Sequence, residues 1–186
     1  MPRVSAIRIE SMPRPGDRRT TGKSGKMIRL VLRRPRRFAD LFSAIQSDDP
    51  GVRMRAADAA EKFPRHPPAW QGPYKKLLIN KIARIPQQEV RCHVTQMLPR
   101  PVLNGVERKK IFELLLRYLK DDSRIGKSFT TQAIADLAAQ GDAHRDQVRD
   151  LNRHLTATGT PAMMARGKML LRGFRHDPGR AKKKIK

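Results

Sequence analysis

The sequence predicts an all-α fold, a short right-handed α-solenoid of about four antiparallel helix pairs with disordered basic tails. A turn closed by Asp48-Asp49-Pro50-Gly51 opens directly onto an alanine-rich helix that includes Val52, Ala56, Ala59 and Ala60. Related blocks begin at Gln87-Gln88-Glu89-Val90-Arg91, Asp122-Ser123-Arg124-Ile125 and Thr160-Pro161-Ala162-Met163, each after an apolar helical run. With Val52, Val90, Ile125 and Met163 as equivalent anchors, the spacings are 38, 35 and 38 residues, the scatter expected of helix-pair repeats with unequal loops.

Each element follows from its own pattern. Phe38, Leu41, Phe42 and Ile45 recur at three and four residues and so share one helical face. Asp48 or Asp49 is suited to cap the next helix and Pro50 to occupy its first turn, while Val52, Ala56, Ala59, Ala60 and Phe63 form its buried side. Pro64, Pro67 and Pro68 stop that helix, and a loop runs to Gly72-Pro73. Tyr74, Leu77, Leu78, Ile82 and Ile85 predict the first helix of the second pair, which Pro86 ends; Val90, Val94, Met97 and Leu98 predict its partner.

Past Pro99, Pro101 and an Asn104-Gly105 turn, Ile111, Leu114, Leu115, Tyr118 and Leu119 mark a helix over residues 106–120. Asp121-Asp122-Ser123 offers the cap for a helix through Ile125, Phe129, Ala133, Ile134 and Leu137. The last pair is carried first by Val148, Leu151 and Leu155, then by Met163, Gly167, Leu170, Leu171 and Phe174.

In its blocks and spacing the chain resembles the HEAT family and its close relatives over about residues 37–174. The Asp-x-x-Val-Arg pattern is present at Asp49 to Arg53, and Val90-Arg91 keeps the Val-Arg pair with Gln87 where the family often has Asp. The third and fourth blocks depart further, with Gly126 and Met164 after the anchor. The resemblance implies that Arg53 and Arg91 join a ladder with acids of neighbouring turns, and that second helices line a concave surface. Arg53, Arg55, Arg91, Arg124, Lys127, Arg166, Lys168 and Arg172 all fall on those helices and are the candidate partner or phosphate contacts; Asp58, Glu61, Glu89 and Asp136 on the same helices dilute their charge.

The net charge of +24 is concentrated at the ends. Residues 1–37 carry twelve Lys or Arg against two acids, and residues 172–186 carry seven against one, so two thirds of the excess lies there. Such arms attract polyanions by counterion release, although a solvating tail has the same composition. Residues 1–36 combine charge with Pro and Gly and read as a disordered basic arm, residues 37–174 as the repeat domain, and residues 175–186 as a disordered basic tail. Charged residues interrupt every long apolar run, which argues against a membrane span, and a single cysteine, Cys92, makes a reducing cytoplasm the simplest compartment.

Chemical motifs are weak throughout. Gly16 to Ser24 ends in Gly-Lys-Ser but places five residues between its glycines where a phosphate-binding loop requires four, and no parallel-sheet pattern surrounds it. Cys92 and His93 are adjacent, about 100° apart on a helix, and so cannot act as nucleophile and base on one another. His66, His144, His154 and His176 lack ligand spacing, and the acid pairs Asp48-Asp49 and Asp121-Asp122 stand at helix starts, where carboxylates cap free amides. Trp70 and Tyr74 beside Lys75-Lys76 suit base stacking or a peptide anchor, but packing between repeats is the favoured reading. The expectation is therefore a non-enzymatic module with no cofactor, metal or small-molecule substrate, whose partner is another protein. The alternative is sequence-tolerant binding of DNA or RNA through the arms and a basic concave face.

Overall fold

A computed structural model describes residues 38–63, 72–120, 123–141 and 145–175, apart from the side chains of residues 124, 125 and 173–175. The expected arms, Trp70, the acids Asp121 and Asp122, and the loop at Gly16 to Ser24 lie outside these residues. Among the described residues there are eight α-helices: α1 (Phe38–Ala44), α2 (Pro50–Lys62), α3 (Lys75–Asn80), α4 (Gln88–Met97), α5 (Gly105–Tyr118), α6 (Arg124–Ala138), α7 (Arg145–Thr158) and α8 (Pro161–Arg175). A 3₁₀ turn, Ile82–Arg84, separates α3 from α4. The fold is all-α, with helices packed in antiparallel pairs. The repeat domain anticipated over residues 37–174 falls into two compact units, divided between Pro101 and Val102, each built of two helix pairs.

In the first unit α1 packs on α2 and α2 on α4, so α2 is covered from two sides. This explains its composition: Val52, Met54, Ala56, Ala57, Ala59 and Ala60 are all buried, and a helix buried nearly all round needs small side chains if both neighbours are to approach. Asp49 caps it, accepting from Gly51 N at 2.7 Å and Val52 N at 3.1 Å, and Pro50 fills the first turn, where no amide donor is required.

An aromatic cluster fills one end of this core. The Phe38 ring lies 5.2 Å from Phe42 and 4.9 Å from Phe63, and Tyr74 stacks on Phe42 at 4.6 Å while meeting Phe38 edge-on at 5.5 Å. Each such pair adds roughly 0.5–1.5 kcal/mol to the burial itself. Tyr74 is thereby occupied in packing, as the favoured reading of its pattern held.

The single helix expected from Tyr74 to Ile85 is broken. Pro86 disfavours helical backbone at the residue before it, and Ile85 accordingly turns extended at φ −61°, ψ 124°. Lys81, at φ −119°, ψ −62°, ends α3, and the last turn tightens to 3₁₀ while still burying Ile82 and Ala83. Beyond it Val90, Val94, Met97 and Leu98 are completely buried, as their spacing predicts.

In the second unit α5 packs on α6, α6 on α7 and α8, and α7 on α8. Asn104-Gly105, which reads as a turn, is instead a helix start. Asn104 Oδ1 accepts from Glu107 N at 2.9 Å and Glu107 Oε2 accepts from Asn104 N at 2.9 Å, a reciprocal capping box. Ser123 caps α6 through Gly126 N at 3.0 Å, the role that Asp121-Asp122-Ser123 offered. The buried hydroxyls of Thr130 and Thr131 donate to the carbonyls of Gly126 and Lys127 one turn earlier, which leaves neither unsatisfied.

Helices α7 and α8 are joined by only Gly159 and Thr160, and two glycines make their contact possible. A Cβ at Gly159 would overlap the Leu155 carbonyl and lie 2.9 Å from Met163 Cβ. At Gly167 it would overlap Thr156 Oγ1 and lie 3.2 Å from Thr156 Cβ. Gly167→Ala should therefore destabilise the second unit by about 1–3 kcal/mol, as overpacked sites do, despite its better helix propensity. Adding Thr156→Ala removes the overlapping oxygen and should recover more than half of the loss; urea melts of the two single variants and the double variant measure this coupling.

Candidate functional site

The second helices, α2, α4, α6 and α8, carry every candidate contact residue, and all but the Arg124 side chain lie among the described residues. Arg53 is the most engaged. Its Nη1 donates to the carbonyls of Ser47 at 2.8 Å and Asp48 at 3.0 Å, holding the turn of its own pair, while Nε donates to Gln87 Oε1 at 2.8 Å. Gln87 returns the link, its Nε2 donating to the Pro50 carbonyl at 3.0 Å. The two first turns of α2 and α4 are thus tied by a double hydrogen bond that crosses from one pair to the next. The resemblance implies an Arg–acid ladder at this position; the rung is present, but its acceptor is a neutral amide. Arg91 is half-buried and donates from Nε to the Ile85 carbonyl at 3.2 Å, in the turn before its own helix.

Arg55 is 6% exposed, so it points into the first unit rather than toward a ligand, and its guanidinium lies alongside the first turn of α2 at Gly51. Farther along the α2–α4 seam lies a cluster of ionisable groups. Asp58 is 1% exposed, and burial of a carboxylate at that depth requires a partner. Lys62 Nζ supplies it at 2.9 Å, and His93 Nε2 stands 3.7 Å from Asp58 Oδ1. Glu61, one turn from the same place, is paired with Arg100, which also donates to the Glu61 carbonyl. Burial lowers the His93 pKa below its ordinary 6.5; the charges of Asp58 and Glu61 act against this without reversing it, and Lys62 adds to the lowering. Cys92, its neighbour, is half-exposed and in no disulfide.

In the second unit Arg166 Nη1 donates to Gln132 Oε1 at 3.2 Å, and Gln132 Nε2 donates to Asp136 Oδ1 at 2.7 Å. Here again an arginine of one second helix reaches a glutamine of the other. Lys127 is half-buried, whereas Lys168 and Arg172 are exposed on α8 beside Met169, which is 53% exposed. Arg124 begins α6, and its side chain lies outside those described. The structure therefore brings Arg53 to Gln87 and Arg166 to Gln132, buries Arg55, and leaves Lys168 and Arg172 open.

A small cleft of about 30 Å³ lies among Gly105, Arg108, Phe112, Leu137, Ala138, Gly141 and Val148. It has room for about one water molecule, and its cation is engaged, Arg108 Nη1 donating to the Leu103 carbonyl at 2.6 Å. Among the described residues no three His, Cys, Asp or Glu side chains are grouped so as to hold a metal ion, and no helix is long and apolar enough to cross a membrane.

The sequence reading missed the seam of Asp58, Glu61, Lys62, His93 and Arg100. Its one visible signal was Asp58 standing amid Ala56, Ala57, Ala59 and Ala60, where an acid on a buried helix implies a buried partner. His93 and Arg100 lie 35 and 39 residues from their partners, a separation no local pattern reveals. Gln87 was noticed only as a departure from the family pattern, and its side chain proved to be the acceptor that joins the pairs.

These helices and their cross-ties define an all-α protein of helical-repeat type. No family model matches the chain, and no curated protein matches it. Among solved structures it is similar to the crystal structure of an engineered protein from the Northeast Structural Genomics Consortium. The TM-score is 0.60 at 16% sequence identity, over 83% of this chain and 68% of that one, a likeness of fold alone.

Two stability measurements test the seam. In a double-mutant cycle of Arg53→Met and Gln87→Leu, the coupling should be about 1.5–3 kcal/mol, the value of a hydrogen bond to a charged donor. Lowered in the fold, the His93 pKa also sets a pH dependence. Below about 6.5 the unfolded chain binds a proton that the folded chain refuses, so this contribution is complete above that pH and is lost as pH falls toward the lowered value. His93→Gln should flatten the difference in urea midpoint between neutral and mildly acidic buffer.

Proposed function

We propose that the chain is a non-enzymatic binding module of HEAT-like type, a scaffold whose second helices and repeat edges hold another protein. The observation that carries this reading is the internal use of the second-helix arginines. Arg53, Arg91 and Arg166 are hydrogen-bonded within the chain, and Arg55 is buried, so half of the eight candidate contacts serve the scaffold. An electrostatic groove for nucleic acid needs those cations directed outward. What the last second helix offers instead is a mixed surface of Ala165, Lys168, Met169 and Arg172, in which an adaptable thioether sits between two cations. Stacked helix pairs present such surfaces without requiring a catalytic centre.

Affinity capture from native lysate, with and without nuclease, tests the reading. The full chain and a fragment of residues 38–174 should both retain the same protein after nuclease treatment, and Met169→Glu should reduce its recovery. Complete loss of the captured protein on nuclease treatment would sink the proposal.

A further inference from the structure

The cations that do face outward in the first unit lie elsewhere, on α3 and the 3₁₀ turn after it. Lys76, Lys81 and Arg84 are exposed, as is Asn80 between them, while Leu78, Ile79, Ile82 and Ala83 are buried on the other side. On α3 Lys76 and Asn80 lie about one turn apart, opposite Leu78 and Ile79, and Lys81 and Arg84 flank the buried Ile82 and Ala83 that follow. All three cations are open to solvent within nine residues. Unlike Arg53, Arg91, Arg100, Arg108 and Arg166, none of the three cations has a side-chain hydrogen bond or ion pair among the described residues.

This stretch also has no local countercharge. Between Glu61 and Glu89 the sequence contains six Lys or Arg and no Asp or Glu. Helix α5, which also exposes cations, differs in that respect. On α5 Glu113 stands four residues after Lys109 and four before Arg117, the spacing of a self-neutralising solvated face.

We infer that the solvent face of α3 and the 3₁₀ turn, formed by Lys76, Lys81 and Arg84, is a contact surface for the phosphate backbone of duplex nucleic acid. Three outward cations within nine residues complement the dense charge of a duplex, whose strands each carry a phosphate about every 3.4 Å along the axis. Lys76 and Lys81 act as mobile point charges, and Arg84, on a turn fixed by Ile82, Ala83 and Pro86, presents a planar fork suited to phosphate oxygens. No base edge is read by such cations, so binding is tolerant of sequence and steeply dependent on salt. The surface is distinct from the second helices of the protein-scaffold reading and stands whether or not that reading holds.

The test measures binding of the full chain to a labelled mixed-sequence DNA duplex across a range of salt concentrations. Each lost phosphate contact reduces the slope of log affinity against log salt by about 0.9, so Lys76→Gln/Lys81→Gln/Arg84→Gln should flatten it by nearly three. The charge-preserving Lys76→Arg/Lys81→Arg/Arg84→Lys should keep the slope. Removing the same charge from α5 and the turn after it, with Lys109→Gln/Arg117→Gln/Lys120→Gln, should leave it nearly unchanged. An unaltered slope in the first variant, an equal loss in both Gln variants, or no binding by the unsubstituted chain at low salt each overturns the inference; unchanged helical circular dichroism in every variant excludes unfolding as the cause.

Discussion

Stacking of second helix upon second helix is the constraint on which the rest of the structure depends. A helix of ten to fifteen residues is marginal in water and acquires stability only by burying a face against a neighbour. Here α2 is held between α1 and α4, and α8 rests on both α6 and α7, so each must be covered from two directions. That requirement selects alanine at Ala56, Ala57, Ala59 and Ala60 and glycine at Gly167, because larger side chains would force the axes apart. It also explains why polar groups at the seams are tied to one another. Asp58 and Arg53, which enter the contact between α2 and α4, are each met by a partner from the same or the next element.

Much of this was legible because the decisive interactions are local. Caps, proline stops and the three-and-four spacing of Phe38, Leu41, Phe42 and Ile45 act within a few residues, and the structure buries all four. The break at Lys81 was less visible, because Pro86 could be seen to end a helix but not to tighten the turn preceding it. Asn104-Gly105 has the composition of a turn; only Glu107, three residues after Asn104, distinguishes a capping box. The candidate contacts were harder still. Sequence placed Arg53 and Arg166 on the correct helices, but whether a cation faces outward depends on acceptors 34 residues distant, Gln87 and Gln132.

Charge in this chain is accordingly divided between two tasks. Cations within reach of a carbonyl, an amide oxygen or a buried carboxylate serve cohesion, as with Arg53, Lys62, Arg100 and Arg108. Cations on the outer faces of α3 and α5 and on α8 serve the surface, where long side chains retain hydration and rotameric freedom. The overall excess of positive charge therefore says little about any one residue. Position along the helix, more than the identity of Lys or Arg, decides which task a cation performs.

The neutral acceptor at Gln87 has a consequence for the environments in which the scaffold persists. Had a carboxylate stood there, the rung to Arg53 would have been an ion pair, screened by dissolved electrolyte and abolished when the acid took up a proton. An amide oxygen does not titrate, and its attraction for the guanidinium is that of a short-range dipole bound at 2.8 Å. This rung between the first two helix pairs is thereby indifferent to acidity, and less sensitive to ionic strength than an ion pair would be. In a chain of such high positive charge, that reduced sensitivity lets the counterion atmosphere change with its surroundings while the register of the stacked helices stays the same.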